Sequence, residues 1–223
     1  MGRTVWVALA FCVFGGMAEA CRLALLLAVD VSSSVDAYED RLQREGLAAA
    51  LTDNDVRAAF FNGGPVALSV YEWSGKHQQH PILTWTTVAS DTDLDAIAAV
   101  LAGSRRIETE FPTALGYALG YATTQFRTAP RCKAQTLDVS GDGKNNDGFP
   151  PDLAYEHFPF DGVTVNALVI GGDPDLLDYF ETEVVRGSDA FVETAEDYED
   201  FERAMRRKLI RELQPRAIGR VIP

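Results

Sequence analysis

The chain has 223 residues, 47% hydrophobic and 24% charged, with 18 Gly and 10 Pro. This is the composition of a folded protein, and it excludes disordered and fibrous classes. The length suits one large domain or two small ones. The net charge of −13 disfavours nucleic acid and anionic lipid as partners and favours cations. Neither terminus carries a run of like charge, so most of these carboxylates read as solvated surface.

Residues 1–20 stand apart. Arg3 supplies a positive start, Val5 to Met17 is apolar, and Ala18-Glu19-Ala20 has the small-x-small form of a cleavage site. The apolar run is shorter than the ~20 residues a bilayer-spanning helix needs. The alternatives are a buried N-terminal helix or a lipoprotein signal ending at Cys21, for which Ala18 and Glu19 are poor preceding residues. The reading is a cleaved secretory signal over 1–20, export to the periplasm or outside the cell, and one domain over 21–223. No other segment is long and apolar enough for membrane insertion. Cleavage removes one Arg and one Glu, leaving the net charge at −13, and it also removes Cys12. The remaining Cys21 and Cys132 are an even pair, which in an exported protein suggests one disulfide; two buried free thiols are the alternative.

From Leu23 to Val31 a continuous apolar run predicts a strand buried on both faces. Ser34 to Leu51 reads as a helix with Ser34 near its cap and an apolar face of Tyr38, Leu42, Leu47, Ala50 and Leu51. A short helical piece, Asp53 to Phe61, ends at Asn62-Gly63-Gly64. Val66 to Trp73 alternates as a strand, 74–80 is polar, and Ile82 to Val88 is a second strand, with a link short enough for an antiparallel hairpin. Asp91 to Leu101 is helical, Gly103 to Pro112 is a loop, and Thr113 to Phe126 is a helix. Ala134 to Val139 is a strand ending in Ser140-Gly141-Asp142-Gly143. There follow a short helix at Pro151 to His157, a strand at Val163 to Ile170 and a helix at Asp175 to Val184. A strand at Ala190 to Thr194 precedes the last helix, Glu196 to Leu213, with Phe201, Met205, Leu209 and Ile210 on one face. Alternating strands and helices predict an α/β fold: a doubly wound, mostly parallel sheet with one antiparallel edge strand and helices on both faces.

Ligands of such sheets bind beyond the carboxyl ends of the strands, where strand order reverses. Two segments fit that position. In Asp30-Val31-Ser32-Ser33-Ser34, extended backbone sends Asp30, Ser32 and Ser34 to one side. Asp142 lies between two glycines that let the chain turn sharply beside a ligand. Carboxylate and hydroxyl oxygens are hard donors, suited to Mg²⁺ or Mn²⁺.

Asp30-x-Ser32-x-Ser34, Thr113 opening a helix, and Asp142-Gly143 together resemble the metal-ion-dependent adhesion site of von Willebrand factor A domains. The order of elements resembles that family from about Leu23 to Leu213. Through Ser140 to Asn146 (Ser-Gly-Asp-Gly-x-Asn-Asn), the chain further resembles a bacterial family of exported A-domain-like proteins. The resemblance implies a non-enzymatic adhesion or assembly module. Ser32 and Ser34 would bind the metal directly, Asp30 and Asp142 directly or through water, and Thr113 directly or through water depending on state. A protein partner's Asp or Glu carboxylate would complete the site. The chain departs from the pattern at Pro112, where the family usually has Gly. Thr109 competes with Thr113, whose spacing of six residues to Leu119 on the helix's apolar face favours it.

Other readings compete. Asp30 and the serines could cap the first helix, with Asp142-Gly143 a plain turn. Asn145-Asn146-Asp147-Gly148 lacks the spacing of an EF-hand loop and reads as a turn that positions Asp142. His77, His80 and His157 read as surface residues. A metal-dependent phosphoester hydrolase is the enzymatic rival, but no Gly-x-Ser-x-Gly elbow is present, Asp30-x-Ser32 replaces an Asp-x-Asp pair, and no histidine or lysine base lies close in sequence. A degenerate A domain that works without metal is the other rival.

Cys21 lies nine residues before Asp30 and Cys132 ten before Asp142. In a doubly wound order the first and fourth strands are parallel neighbours about 4.8 Å apart. The two cysteines then fall at one end of adjacent strands, opposite the metal, where a bridge has plausible geometry.

Overall fold

The computed structural model describes residues 21–107 and 109–214; the predicted signal sequence over 1–20 lies outside the described residues. Six strands form one sheet in the order β3-β2-β1-β4-β5-β6. They are β1 (Leu23–Asp30), β2 (Val66–Trp73), β3 (Gln79–Val88), β4 (Ala134–Gly141), β5 (Val163–Ile170) and β6 (Val192–Ala195). All neighbours pair in parallel except β2 and β3, which form the antiparallel hairpin at one edge. The helices are α1 (Ala37–Thr52), α2 (Asn54–Phe61), α3 (Asp91–Gly103), α4 (Leu115–Phe126), α5 (Pro151–His157), α6 (Pro174–Tyr179) and α7 (Phe201–Glu212).

Every residue of β1 is buried, because the strand is central and covered on both faces. Its alternation divides the core. Leu23, Leu25, Leu27 and Val29 pack with apolar residues of α1, α2, α3 and α7, while Ala24, Leu26 and Ala28 pack with those of α4, α5 and α6. Asp30, in step with the second set, is carried to the tip of the strand. Strand order reverses between β1 and β4, the position at which such sheets bind ligands.

The helix starts required correction. Asp36, rather than Ser34, caps α1: its carboxylate accepts from Tyr38 and Glu39, and the Glu39 side chain accepts from the Asp36 N–H. This capping box leaves the serine hydroxyls uninvolved in the helix. Tyr38 does not join the apolar face; it is 48% exposed, under the Arg41 guanidinium. The last helix begins at Phe201 rather than Glu196, because 196–200 is held as an acidic turn in which Asp200 accepts from the Glu196 N–H and Asp197 from the Asp200 N–H. The predicted helix over Asp175 to Val184 becomes α6 followed by a π-helical turn, Phe180–Val184. His80 is the second residue of β3 and is half-buried, whereas His77 and His157 are exposed.

At the end of the sheet opposite Asp30, Cys21 and Cys132 are joined in a disulfide with a Cα separation of 4.4 Å. They precede β1 and β4 in register, with Lys133 N–H donating to the Cys21 carbonyl at 3.0 Å. Beside them, the Arg22 guanidinium donates to the carbonyls of Ala59 and Phe60 at the end of α2 and of Leu213 after α7, where a cation suits the helix dipoles.

An ionic cluster sits between α7 and the sheet. Lys208, fully buried, lies 2.6 Å from Asp138 of β4 and 2.8 Å from Glu212. Asn166 of β5 donates to Glu212 at 2.8 Å. A charge removed from water this completely is tolerated only when paired.

Candidate metal centre

The segment after β1 is anchored by its apolar residues. Val31 and Val35 are buried, Val31 N–H continues the β1–β2 pairing onto the Trp73 carbonyl at 2.9 Å, and Val35 N–H closes a turn on the Ser32 carbonyl at 3.0 Å. Around these anchors Asp30, Ser32 and Ser34 come together at the tip of β1. Asp30 and Ser32 are fully buried, and Asp30 Oδ1 accepts the Ser32 N–H at 2.7 Å. The Ser32 and Ser34 hydroxyls are 3.1 Å apart. The Ser34 hydroxyl donates to Asp142 Oδ1 at 2.9 Å.

Gly141, the last residue of β4, packs closely on the site: a Cβ there would stand 3.1 Å from Asp30 Oδ2. Thr113 is buried, and its Oγ1 would lie 3.7 Å from a Cβ at Gly143, which places it against the Asp142 turn. Thr109 is exposed and its hydroxyl donates to Glu110. The structure therefore brings Asp30, Ser32, Ser34, Thr113 and Asp142 to one place and leaves Thr109 outside it.

Asp30 Oδ2 is buried with no hydrogen-bond partner. Burial, and after it the charge of Asp142, raises the Asp30 carboxyl to about 7, against the Ser32 N–H and hydroxyl and the Asp142 N–H, which favour its ionised form. Two carboxylates, three hydroxyls, mutual repulsion and an orphaned carboxylate oxygen are the donor set and charge balance that fit a hard divalent cation. Among the described residues no group of three His, Cys, Asp or Glu side chains gathers as a metal site, so any such site here would rest on hydroxyls as well as carboxylates.

Several contacts at the site go beyond what the sequence indicates. Tyr198, in the turn before α7, is buried and turns its hydroxyl towards Asp142 without completing a hydrogen bond. Burial first, then the charges of Asp142 and Asp30, push that phenol well above its usual range. Trp73 Nε1 and Ser74 Oγ, at the tip of β2, are likewise buried without partners. Asn146 Oδ1 accepts the Thr113 N–H at 2.9 Å and Asn145 Oδ1 accepts the Gly116 N–H at 3.2 Å. The Asn-Asn pair is the one signal the sequence offered for this group; a tyrosine in an acidic turn carries none.

The model of the family described as "Protein of unknown function (DUF1194)" matches residues 20–217. No curated protein matches the chain. Among solved structures, proximal thread matrix protein 1 from the mussel byssus, with zinc occupied MIDAS motif, is similar with a TM-score of 0.64 and 19% identity over 88% of this chain. A von Willebrand factor type A structure from Catenulispora acidiphila is similar at 0.60 and 18% over 87%. An aerotolerance-related membrane protein from Bacteroides fragilis is similar at 0.58 and 17% over 85%. The chain spans 49% of the mussel protein and 43% of the Catenulispora one, but 99% of the Bacteroides one. The shared feature is the fold, that of von Willebrand factor A domains.

Proposed function

The chain belongs to the DUF1194 family, and we propose that it is an exported, metal-dependent protein-binding module rather than an enzyme. The observation that carries this reading is the convergence of three distant segments at the strand tips, where Ser34 meets Asp142 and Asp30 Oδ2 is left buried and unpartnered. A solved structure of the same fold with a zinc-occupied MIDAS motif supports it.

In this reading Ser32 and Ser34 hold Mg²⁺ or Mn²⁺ directly, Asp30 and Asp142 directly or through water, and Thr113 directly or through water. The hydroxyls are neutral, so the two aspartates at most offset the ion's charge, and an outside oxygen can still be accepted. An Asp or Glu carboxylate of a protein partner suits that position. The disulfide agrees with an oxidising compartment, as the proposed signal over 1–20 requires. No helix among the described residues is long and apolar enough to cross a membrane.

The test is thermal unfolding of the chain from Cys21 in EDTA and in rising Mg²⁺ or Mn²⁺, beside Asp30→Ala. Metal at 100 times its Kd adds ~2.7 kcal/mol, a Tm rise of roughly 5–11 °C for a domain of this size. The rise is expected in the wild type and absent from the variant. No rise in either protein rejects the metal, and turnover of a phosphoester substrate rejects the non-enzymatic reading.

A further inference from the structure

We infer that Asn145 and Asn146 are positioning residues that clamp the Thr113 loop to the Asp142 loop, so that these two halves of the site move as one. The inference rests on the metal reading above and adds to it the device that sets the distance between two of its donors.

The loop around Thr113 is tied to the segments after β1 and β2 by backbone bonds on either side of it, Ser33 N–H to the Phe111 carbonyl and Ala114 N–H to the Ser74 carbonyl, both at 2.8 Å, but Thr113 itself gains little from its neighbours in the chain. Pro112 before it has no N–H with which to latch the loop. Ala114 after it is the N-cap of α4 and offers no side-chain acceptor. The first N–H groups of a helix have no partner within the helix, so the start of α4 needs acceptors from elsewhere.

The Asp142 turn supplies them. Asn146 Oδ1 takes the Thr113 N–H at 2.9 Å. In return the N–H groups of Asn146 and Asp147 donate to the Thr113 carbonyl at 2.9 and 3.2 Å. Both polar groups of the Thr113 backbone are thus bonded to one short segment. Asn145 Oδ1 takes the N–H of Gly116 at 3.2 Å. Gly116 is the second residue of α4, whose N–H an N-cap side chain ordinarily serves, so Asn145 caps the helix from another loop.

Close approach makes the clamp possible. A Cβ at Gly116 would lie 2.0 Å from the Phe149 carbonyl oxygen. The clamp is braced on two further sides: Lys76 pairs with Asp147 at 3.0 Å, and Asn145 N–H donates to the Tyr179 hydroxyl at 3.3 Å. Asp142 is three residues before Asn145, so one loop carries a proposed ligand and the fastening for another.

The experiment is calorimetric titration of the folded chain with Mn²⁺ for wild type, Asn146→Ala, Asn146→Asp, Asn145→Ala, Thr113→Ala and the double variant Thr113→Ala with Asn146→Ala. Loss of an outer partner of a metal ligand typically weakens binding by about 10–100-fold, which is expected of Asn146→Ala. Asn146→Asp keeps the acceptor and restores most of the affinity. Asn145→Ala, which leaves the Thr113 bonds intact, weakens it by about fivefold, in keeping with loss of one cap. The double variant binds no more weakly than Thr113→Ala alone, a result that general destabilisation would not produce. Wild-type affinity in Asn146→Ala and Asn145→Ala overturns the clamp and leaves the metal reading standing. A wild type that binds no Mn²⁺ overturns the metal reading and the clamp with it.

Discussion

The Ser34 hydroxyl donates to Asp142 Oδ1 at 2.9 Å across a sequence separation of 108 residues. That contact joins the tip of β1 to the tip of β4, and it leaves Asp142 close enough for its charge to raise the Asp30 carboxyl. Replacing Asp142 by Asn removes this repulsion. In EDTA, Asp142→Asn is expected to raise Tm by roughly 2–4 °C, corresponding to ~1 kcal/mol, and to abolish the Mn²⁺-dependent rise. A variant less stable than wild type in EDTA contradicts the repulsion.

The Cys21–Cys132 bridge spans a sequence separation of 111 residues. On the chain-entropy model, closing a loop of that size is worth about 4–5 kcal/mol. Urea unfolding of Cys21→Ser with Cys132→Ser should show a loss of that order. Alkylation of the non-reduced wild type should find no free thiol at either position.

Burial first, then the charge of Glu212, raises the Asp138 carboxyl to about 7, with Lys208 opposing. The folded state therefore keeps a proton that the unfolded chain gives up near pH 4. The stabilisation is complete below the unfolded value and is lost as pH rises through about 7. Stability contributed by this group falls across pH 4–7, with a slope of at most about 1.4 kcal/mol per pH unit for one proton. Asp138→Asn should flatten that slope. Since Asp30 titrates in the same window, urea unfolding at several pH values is best compared in an Asp30→Asn background. Equal slopes with and without Asp138 would refute the assignment.

Gly116→Ala forces its Cβ onto the Phe149 carbonyl, 2.0 Å away in the wild-type geometry. Overpacking against backbone costs about 1–3 kcal/mol, more than alanine recovers as a better helix former. Denaturant unfolding should show a net loss, and Mn²⁺ binding should weaken with it because the clamp lies beneath the same contact.

What the sequence made legible was local. The unbroken apolar run of β1 announced a strand covered on both faces. Alternation at its end predicted Asp30, Ser32 and Ser34 on one side; in the structure a turn closed by Val35 N–H on the Ser32 carbonyl, not extended backbone, brings the Ser32 and Ser34 hydroxyls together. The strand order followed from alternating elements and put Cys21 next to Cys132. What stayed illegible depends on contacts between distant segments. Asp36, two residues past Ser34, captures the cap of α1 through Glu39, a competition that two candidates so close together leave open. Lys208 sits in a strongly charged stretch, Arg206-Arg207-Lys208, and nothing local marks it as the one that turns inward to Asp138. The role of Asn145 and Asn146 is set by an α4 terminus that lacks its own acceptor, some thirty residues earlier in the chain.

The Arg22 guanidinium, bonded to the Leu213 carbonyl, has a mechanical consequence. It places the first and last described stretches of the chain side by side at the pole that carries the disulfide, a full strand length from Asp30. A pull applied between the strand tips and that pole runs parallel to β1 and its neighbours. The ladders joining β1 to β2 and β4 are then loaded in shear, many bonds sharing the force at once, instead of being peeled apart one by one. The covalent bridge at the far end stops β1 and β4 from sliding past each other there.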